Sequence, residues 1–186
     1  MKGSDIIVID FETTGLVAPI PANIDKQPYA TEMYAVRLTK DFDFVEEFET
    51  MVKPPIPISE EITKITGITQ ADVDSAPSFI QIYDQVYDLF EGVNHISGHN
   101  IMFDITVLRH ELFRHDFEWS FHFPKHKYCT VELSRHFFNK RLRLQQLHEH
   151  LFGFPFEGAH RAKTDVSATT KCLIELFKRG DANWKK

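Results

Sequence analysis

The segment DIIVIDFETTGL, residues 5–16, restricts this chain to a short menu of folds. Ile6, Ile7, Val8 and Ile9 form a β-branched run that ends at Thr13-Thr14-Gly15, so residues 5–12 read as a strand. Both faces of that strand are apolar up to Asp10. This pattern predicts a central strand covered on both sides. Asp10 and Glu12 interrupt it at the strand's C-terminal end. They are two residues apart, so they project from one face with Cα atoms about 7 Å apart. Open α/β sheets bind ligands beyond such strand ends. A lone Asp-x-Glu near a strand end is nevertheless common, and its weight depends on what else converges there.

The rest of the chain alternates strands and helices. Residues 17–30 carry three prolines and no clear period, and they read as a loop longer than most connections. Strands are expected near 31–39 and 43–52, with Lys40-Asp41-Phe42 as the turn and Pro54, Pro55 and Pro57 ending the second. Ser59 with Glu60 and Glu61 opens a short helix that stops at Gly67. Asp74 or Ser75, with Pro77 following, is expected to open another helix through Phe90. Val93–Ser97 reads as a short strand. Asn100 caps a helix from 101 to about 115, in which Ile101, Ile105, Leu108 and Leu112 form one stripe. Tyr128-Cys129 fits a further short strand, and helices are expected at 130–138, 143–151 and 162–178. There is no repeat, low-complexity tract or linker. The expectation is one α/β domain over 1–180 with a short tail, 181–186.

Two more acids lie in apolar settings. Asp104 in GHNIMFDITVL lies beside the helical stripe in the first turn, where the macrodipole also favours an acid. Asp165 in AHRAKTDVSATT follows His160 by five residues. On one continuous helix that spacing separates them by about 140°. If His160 precedes the helix and Asp165 falls in its first turn, both can face one cleft. Carboxylates are costly to bury, and several facing one another repel unless cations hold them. Mg²⁺ and Mn²⁺ favour such oxygen ligands. Two ions can clamp the attacking and leaving oxygens of an in-line displacement, and a neutral histidine can take the proton of the attacking water. The other histidines do not form a zinc motif: His122 and His126 are separated by Pro124, and no HExxH occurs.

The totals leave this chemistry open. The 186 residues are 42% hydrophobic and 26% charged, as in an ordinary globular domain. No apolar run approaches the roughly 18 residues of a membrane span. MKGSDIIVID turns acidic where a secretory signal would stay apolar, so a cytoplasmic location is expected. Cys129 and Cys172 form no CxxC pair and fit core thiols. The net charge of −6 disfavours a protein that coats long DNA. An enzyme that grips only a chain end through metals needs far less basic surface.

The combined pattern resembles the DEDD exonucleases, specifically the histidine-bearing branch that includes the proofreading epsilon subunit of bacterial replicative polymerases, oligoribonuclease and ribonuclease T. VIDFETTGL matches the first motif, SGHNIMFDITVL the second and HRAKTDVSAT the third, and KITGITQADV resembles the segment between the first two. The resemblance spans roughly residues 5–178. It implies a ribonuclease-H-like mixed five-stranded sheet with helices on both faces. It further implies 3′→5′ hydrolysis that releases nucleoside 5′-monophosphates. Asp10, Glu12, Asp104 and Asp165 would hold two divalent ions, Mg²⁺ or Mn²⁺, with Asp10 touching both, and His160 would be the base. Thr13 and Thr14 would meet the terminal nucleotide, and Leu16 would wedge beside the last base. His99, Asn100 and Phe103 would line the same pocket, although Phe103 fits core packing equally well.

Single-stranded DNA 3′ ends are the first expectation for substrate. RNA remains an alternative, to be separated by tolerance of a 2′-hydroxyl. A non-catalytic binding module on the same fold is a third reading, and the full set of acids speaks against it. Proofreading would need a separate polymerase partner, and the six residues after Gly180 favour a stand-alone enzyme. Loop 17–30 departs from shorter relatives and would either cover the substrate end or form surface. Arg161 and Lys163 flank the expected base and are placed to steer phosphate.

Overall fold

A computed structural model describes residues 5–19, 21–138 and 140–184. The strands are β1 (Ile6–Thr13), β2 (Ala30–Leu38), β3 (Phe44–Met51), β4 (His95–Gly98) and β5 (His126–Cys129). The helices are α1 (Glu60–Thr66), α2 (Gln70–Asp74), α3 (Phe79–Phe90), α4 (Met102–Phe113), α5 (Thr130–Leu133), α6 (Arg135–Phe138), α7 (Leu144–Phe152) and α8 (Ala162–Arg179). One mixed sheet runs in the order β3-β2-β1-β4-β5. β3, β2 and β1 are antiparallel, and β1, β4 and β5 are parallel. This is the mixed five-stranded, ribonuclease-H-like sheet that the sequence led us to expect.

β1 lies at the centre and its two parities enter two cores. Ile7, Ile9 and Phe11 pack with Ile82, Val86 and Leu89 of α3 and with Ile105, Leu108 and Leu112 of α4. Ile6 and Val8 pack with Tyr34 and Val36 of β2, Tyr128 of β5 and Val166 and Leu173 of α8. Burying aliphatic side chains on both faces is the main favourable contribution to this arrangement. Leu147 and Leu151 of α7 pack on Cys172 and Leu176 of α8, which extends the second layer. The outer strand β3 is mostly exposed and carries Glu46, Glu47 and Glu49, charges that discourage edge-to-edge pairing.

Several element boundaries differ from expectation. The helix expected from Asp74 or Ser75 starts later, at Phe79, and a separate short helix, α2, precedes it at Gln70–Asp74. Thr69 and Asp72 form a capping box that opens the short α2, and α3 starts only after Ser78, whose N–H donates to Gln81 Oε1 at 2.8 Å. Pro77 separates them because the residue before a proline is pushed out of the helical region. Asn100 does not cap α4. Its φ is +71°, and its side-chain oxygen accepts a 2.7 Å bond from Arg141 Nη2. The helix expected at 130–138 breaks at Ser134, whose hydroxyl bonds back to the Thr130 carbonyl at 2.7 Å. Loop 17–30, of which Ile20 lies outside the described residues, is pinned at several points. Gln27 exchanges two bonds with the Ala18 backbone, at 3.0 and 3.1 Å. Arg114 donates to the carbonyls of Ile24, Gln27 and Pro28 and lies over the Tyr29 ring. Of the tail expected at 181–186, residues 185 and 186 also lie outside the described residues.

Candidate active site

Asp10 and Glu12 continue the parity of Ile6 and Val8, so they face α8 and not α4. Asp165 sits in the first turn of α8. Carboxylate oxygens of Asp10, Glu12 and Asp165 all lie within 4.8 Å of one another. Asp104 comes from the other layer; it is not one of the three that converge within 4.8 Å, but its charge acts on Asp10. β4 pairs with β1 only as far as Val8↔Ser97, so no β4 residue is paired with Phe11. The Phe11 N–H donates to Asp104 Oδ1 at 3.0 Å, and this bond draws the first turn of α4 against the end of β1. Asp104 is buried.

The electrostatics are those of mutual repulsion. Burial holds the Asp10 carboxyl well above the usual range, and the charges of Asp104, Asp165 and Glu12 push it further in the same direction. Glu12 is raised to about 7 by burial and by Asp165 and Glu32, while Arg161 opposes the shift. Asp104 is raised to about 8, chiefly by burial, against the Phe11 bond that favours its anion. Asp165 is raised by burial, with the His160 N–H bond opposing. Among the described residues, Asp165 Oδ1 is buried with no hydrogen-bond partner. Converging oxygen donors with an unpaired buried oxygen suit a hard divalent cation. The residues therefore fit the metal ions that their chemistry implies.

His160 precedes α8 in a left-handed conformation, φ +67°. Its N–H donates to Asp165 Oδ2 at 3.1 Å, and its side chain is exposed at the rim of the site. The arrangement expected from the spacing, with histidine before the helix and aspartate in its first turn, is the one observed.

The residues expected to meet substrate divide into two groups. Leu16 is 86% exposed just beyond β1, and Phe103 is half-buried against the α3–α4 core. Thr13 Oγ1 donates to Gly15 O at 2.6 Å, and Thr14 Oγ1 accepts the Tyr29 N–H at 3.0 Å, so both hydroxyls shape the turn. His99 is occupied inside the protein. Nδ1 pairs with Thr130 Oγ1 at 2.9 Å and Nε2 with Leu142 O at 3.1 Å, and burial lowers its pKa to about 4. The His99 ring thus fastens the 130–142 segment, which leaves Asn100 and Arg141 as the exposed polar pair nearby.

Sequence reasoning missed Glu32. It lies opposite Glu12 in the β1–β2 register and is 3% exposed. The Arg161 guanidinium grips it, with Nη2 at 2.7 Å and Nε at 3.2 Å from Oε1. The guanidinium expected to steer phosphate is therefore engaged by a carboxylate. A charged residue inside the apolar run ATEMYAV was the available signal. The same reasoning had singled out Asp10.

With this geometry in place, comparison with known proteins is decisive. Residues 7–173 match the exonuclease family. The chain belongs to that family. Within it the chain is of the DnaQ-like DEDD kind, an exonuclease domain. It is 30% identical to the DNA polymerase III subunit epsilon of Aquifex aeolicus over 173 residues, 92% of this chain and 79% of that protein. It is 31% identical to a PolC-type DNA polymerase III of Caldanaerobacter subterraneus subsp. tengcongensis over 177 residues, 94% of this chain but only 12% of that protein. The chain thus spans only a small part of several curated relatives. Among solved structures, the nuclease domain of 3′hExo, a DEDDh family member bound to rAMP, superposes with a TM-score of 0.73. It has 19% identity and covers 99% of this chain and 97% of that one, which supports the fold.

Proposed function

We propose that this chain is a metal-dependent 3′→5′ exonuclease of the histidine-bearing branch. It forms one domain over residues 1–180 and shortens single-stranded DNA from its 3′ end, releasing nucleoside 5′-monophosphates. The observation that carries this reading is the convergence of Asp10, Glu12 and Asp165 within 4.8 Å, from β1 and α8, in a chain that matches the exonuclease family over residues 7–173. Two divalent ions, Mg²⁺ or Mn²⁺, held by Asp10, Glu12, Asp104 and Asp165, would supply Lewis-acid stabilisation of charge on the attacking and leaving oxygens. His160 accepts the proton of the attacking water at the rim. Its backbone bond to Asp165 ties the base to the carboxylate cluster. Leu16 and Phe103 offer apolar surface to the terminal base and sugar, Thr13 and Thr14 contribute backbone groups, and Asn100 contributes its exposed amide. Stacking of this kind tolerates any base.

DNA is favoured over RNA because the epsilon relative is by name a subunit of a DNA polymerase. The same likeness makes a separate polymerase a candidate partner. No helix among the described residues is long and apolar enough to cross a membrane. Both cysteines are free, which supports a reducing, cytoplasmic setting.

The test uses purified protein, Mg²⁺ or Mn²⁺, and 5′-labelled single- and double-stranded DNA and RNA. The expected result is a ladder shortened one nucleotide at a time on single-stranded DNA, lost in EDTA and lost in Asp165→Ala. Internal cleavage, equal activity without metal, or full activity in Asp165→Ala would overturn the assignment. Faster digestion of matched RNA would transfer the same chemistry to an exoribonuclease.

A further inference from the structure

Glu32 adds a buried negative charge to a site already strained by repulsion. Its charge pushes the Asp10, Glu12 and Asp165 carboxyls further up. A buried carboxylate in such a place is unfavourable unless it is fully paired. Glu32 is paired within the protein. Oε1 accepts from Arg161 Nη2 and Nε, and Oε2 accepts from Arg161 Nε at 3.2 Å and from the Ala162 backbone N–H at 3.0 Å. Both oxygens are committed to Arg161 and Ala162. It is therefore a poor candidate for a metal ligand.

Its partners explain its position. Arg161 and Ala162 directly follow His160, and they lie 129 and 130 residues from Glu32 in sequence. The approach to His160 is anchored further back, where His148 bonds the Phe154 carbonyl at 2.9 Å and packs against the Phe154 and Phe156 rings, four or more residues before His160. Residues 153–160 are mostly exposed, Gly158 has φ +75°, and His160 itself has φ +67°. Positive φ is unfavourable for a residue with a side chain and persists only where neighbours enforce it. A guanidinium fork on a carboxylate enforces direction as well as distance.

We propose that Glu32 is a positioning residue: through its fork with Arg161 and its bond to Ala162, it locks the turn that carries His160 and sets the base against the Asp10–Glu12–Asp165 cluster. The catalytic half of this inference rests on the exonuclease reading above. The structural half does not.

Wild type, Glu32→Gln and Arg161→Lys separate the two. Glu32→Gln keeps the shape and loses the charge, and Arg161→Lys keeps the charge and loses the fork. Hydrogen–deuterium exchange should accelerate in peptides covering 155–165 in both variants, while peptides covering 6–13 keep wild-type protection. On single-stranded oligonucleotides with Mn²⁺, kcat should fall on the order of 10–100-fold, as expected when a reacting group is displaced by about 1 Å, while KM changes less than about threefold. Unchanged exchange in 155–165 would overturn the proposal, as would loss of protection that extends through β1. Wild-type kcat in both variants would also overturn it. If the wild-type protein digests no nucleic acid, the exonuclease reading fails, and the exchange measurement alone then decides whether Glu32 holds the turn.

Discussion

At the residue scale, Asp10 is the most revealing position. It sits among Asp104, Asp165 and Glu12, all of which raise its pKa. Without metal its charge destabilises the fold, and with metal the same charge is needed for binding. Asp10→Asn should therefore raise the melting temperature in EDTA at pH 8 by roughly a few degrees, since it removes a carboxyl that is harder to ionise in the fold than in the unfolded chain. The same variant should lose the metal-induced rise in melting temperature. Its nuclease rate should fall by more than about 100-fold, beyond the usual cost of losing an outer-shell partner of a metal. A thermal melt with and without Mn²⁺, alongside the ladder assay, checks all three. Asp10, Glu12, Asp104, His160 and Asp165 were visible in sequence because polar residues stood in apolar or motif contexts. Glu32 stood in the same kind of context and was overlooked. Its partner is 129 residues away, and no local pattern links the two.

At the element scale, the link from β4 into α4 places Asp104. A Cβ on Gly98 would lie 2.8 Å from Ile101 Cδ1 and 3.1 Å from the Ile9 carbonyl oxygen. The Ile101 methyl must shift within a buried core, and the Ile9 oxygen belongs to the backbone of the central strand, which resists displacement. Gly98→Ala should destabilise the protein by about 1–3 kcal/mol, the usual range for overpacking. That corresponds to roughly 2–4 °C in melting temperature per kcal/mol. Wild-type stability in this variant would mean that β4 and α4 are less tightly joined than the contacts imply. The strands and α8 were legible from apolar runs bounded by Gly, Pro and charged turns, and α4 from its Ile101–Ile105–Leu108–Leu112 stripe. The start of α3 and the break between α5 and α6 were not. Each depends on a short-range competition, Pro77 against helix continuation and the Ser134 hydroxyl against the helix ladder, that periodicity does not resolve.

For the whole molecule, the carboxylate cluster couples folding to pH and to metal. Glu12 and Asp104 have folded-state pKa values raised to about 7 and about 8, above their ordinary values. The folded state then binds protons more tightly than the unfolded chain, so stability falls as pH rises through about 7 and about 8. His95 and His99, both lowered to about 4 by burial, act in the opposite sense. Their contribution is lost as pH falls below their unfolded value near 6.5 and is constant above it. Between pH 6.5 and 8.5 the carboxylates therefore act alone among these four groups. In EDTA the melting temperature should drop across that window, on the order of 5 °C. Saturating Mg²⁺ or Mn²⁺ should flatten the profile by stabilising the ionised site. A metal-free melting temperature that rises over the same window would refute the repulsion picture.

The sequence by itself determined the central strand, the alternation of strands and helices, and the identity of the acids and histidine that stand out from them. These follow from local periodicity and from the cost of placing charge in apolar surroundings. Only the tertiary structure decided which acids meet. The even parity of β1 faces α8, so Asp10 and Glu12 join Asp165 directly, while Asp104 comes across from the other layer through the Phe11 amide. The β1–β2 register sets Glu32 opposite Glu12, and the Arg161 fork then fastens the histidine turn to the sheet. Such pairings arise from the register between strands and the packing of layers, relations between residues far apart in the chain that no short window of sequence contains.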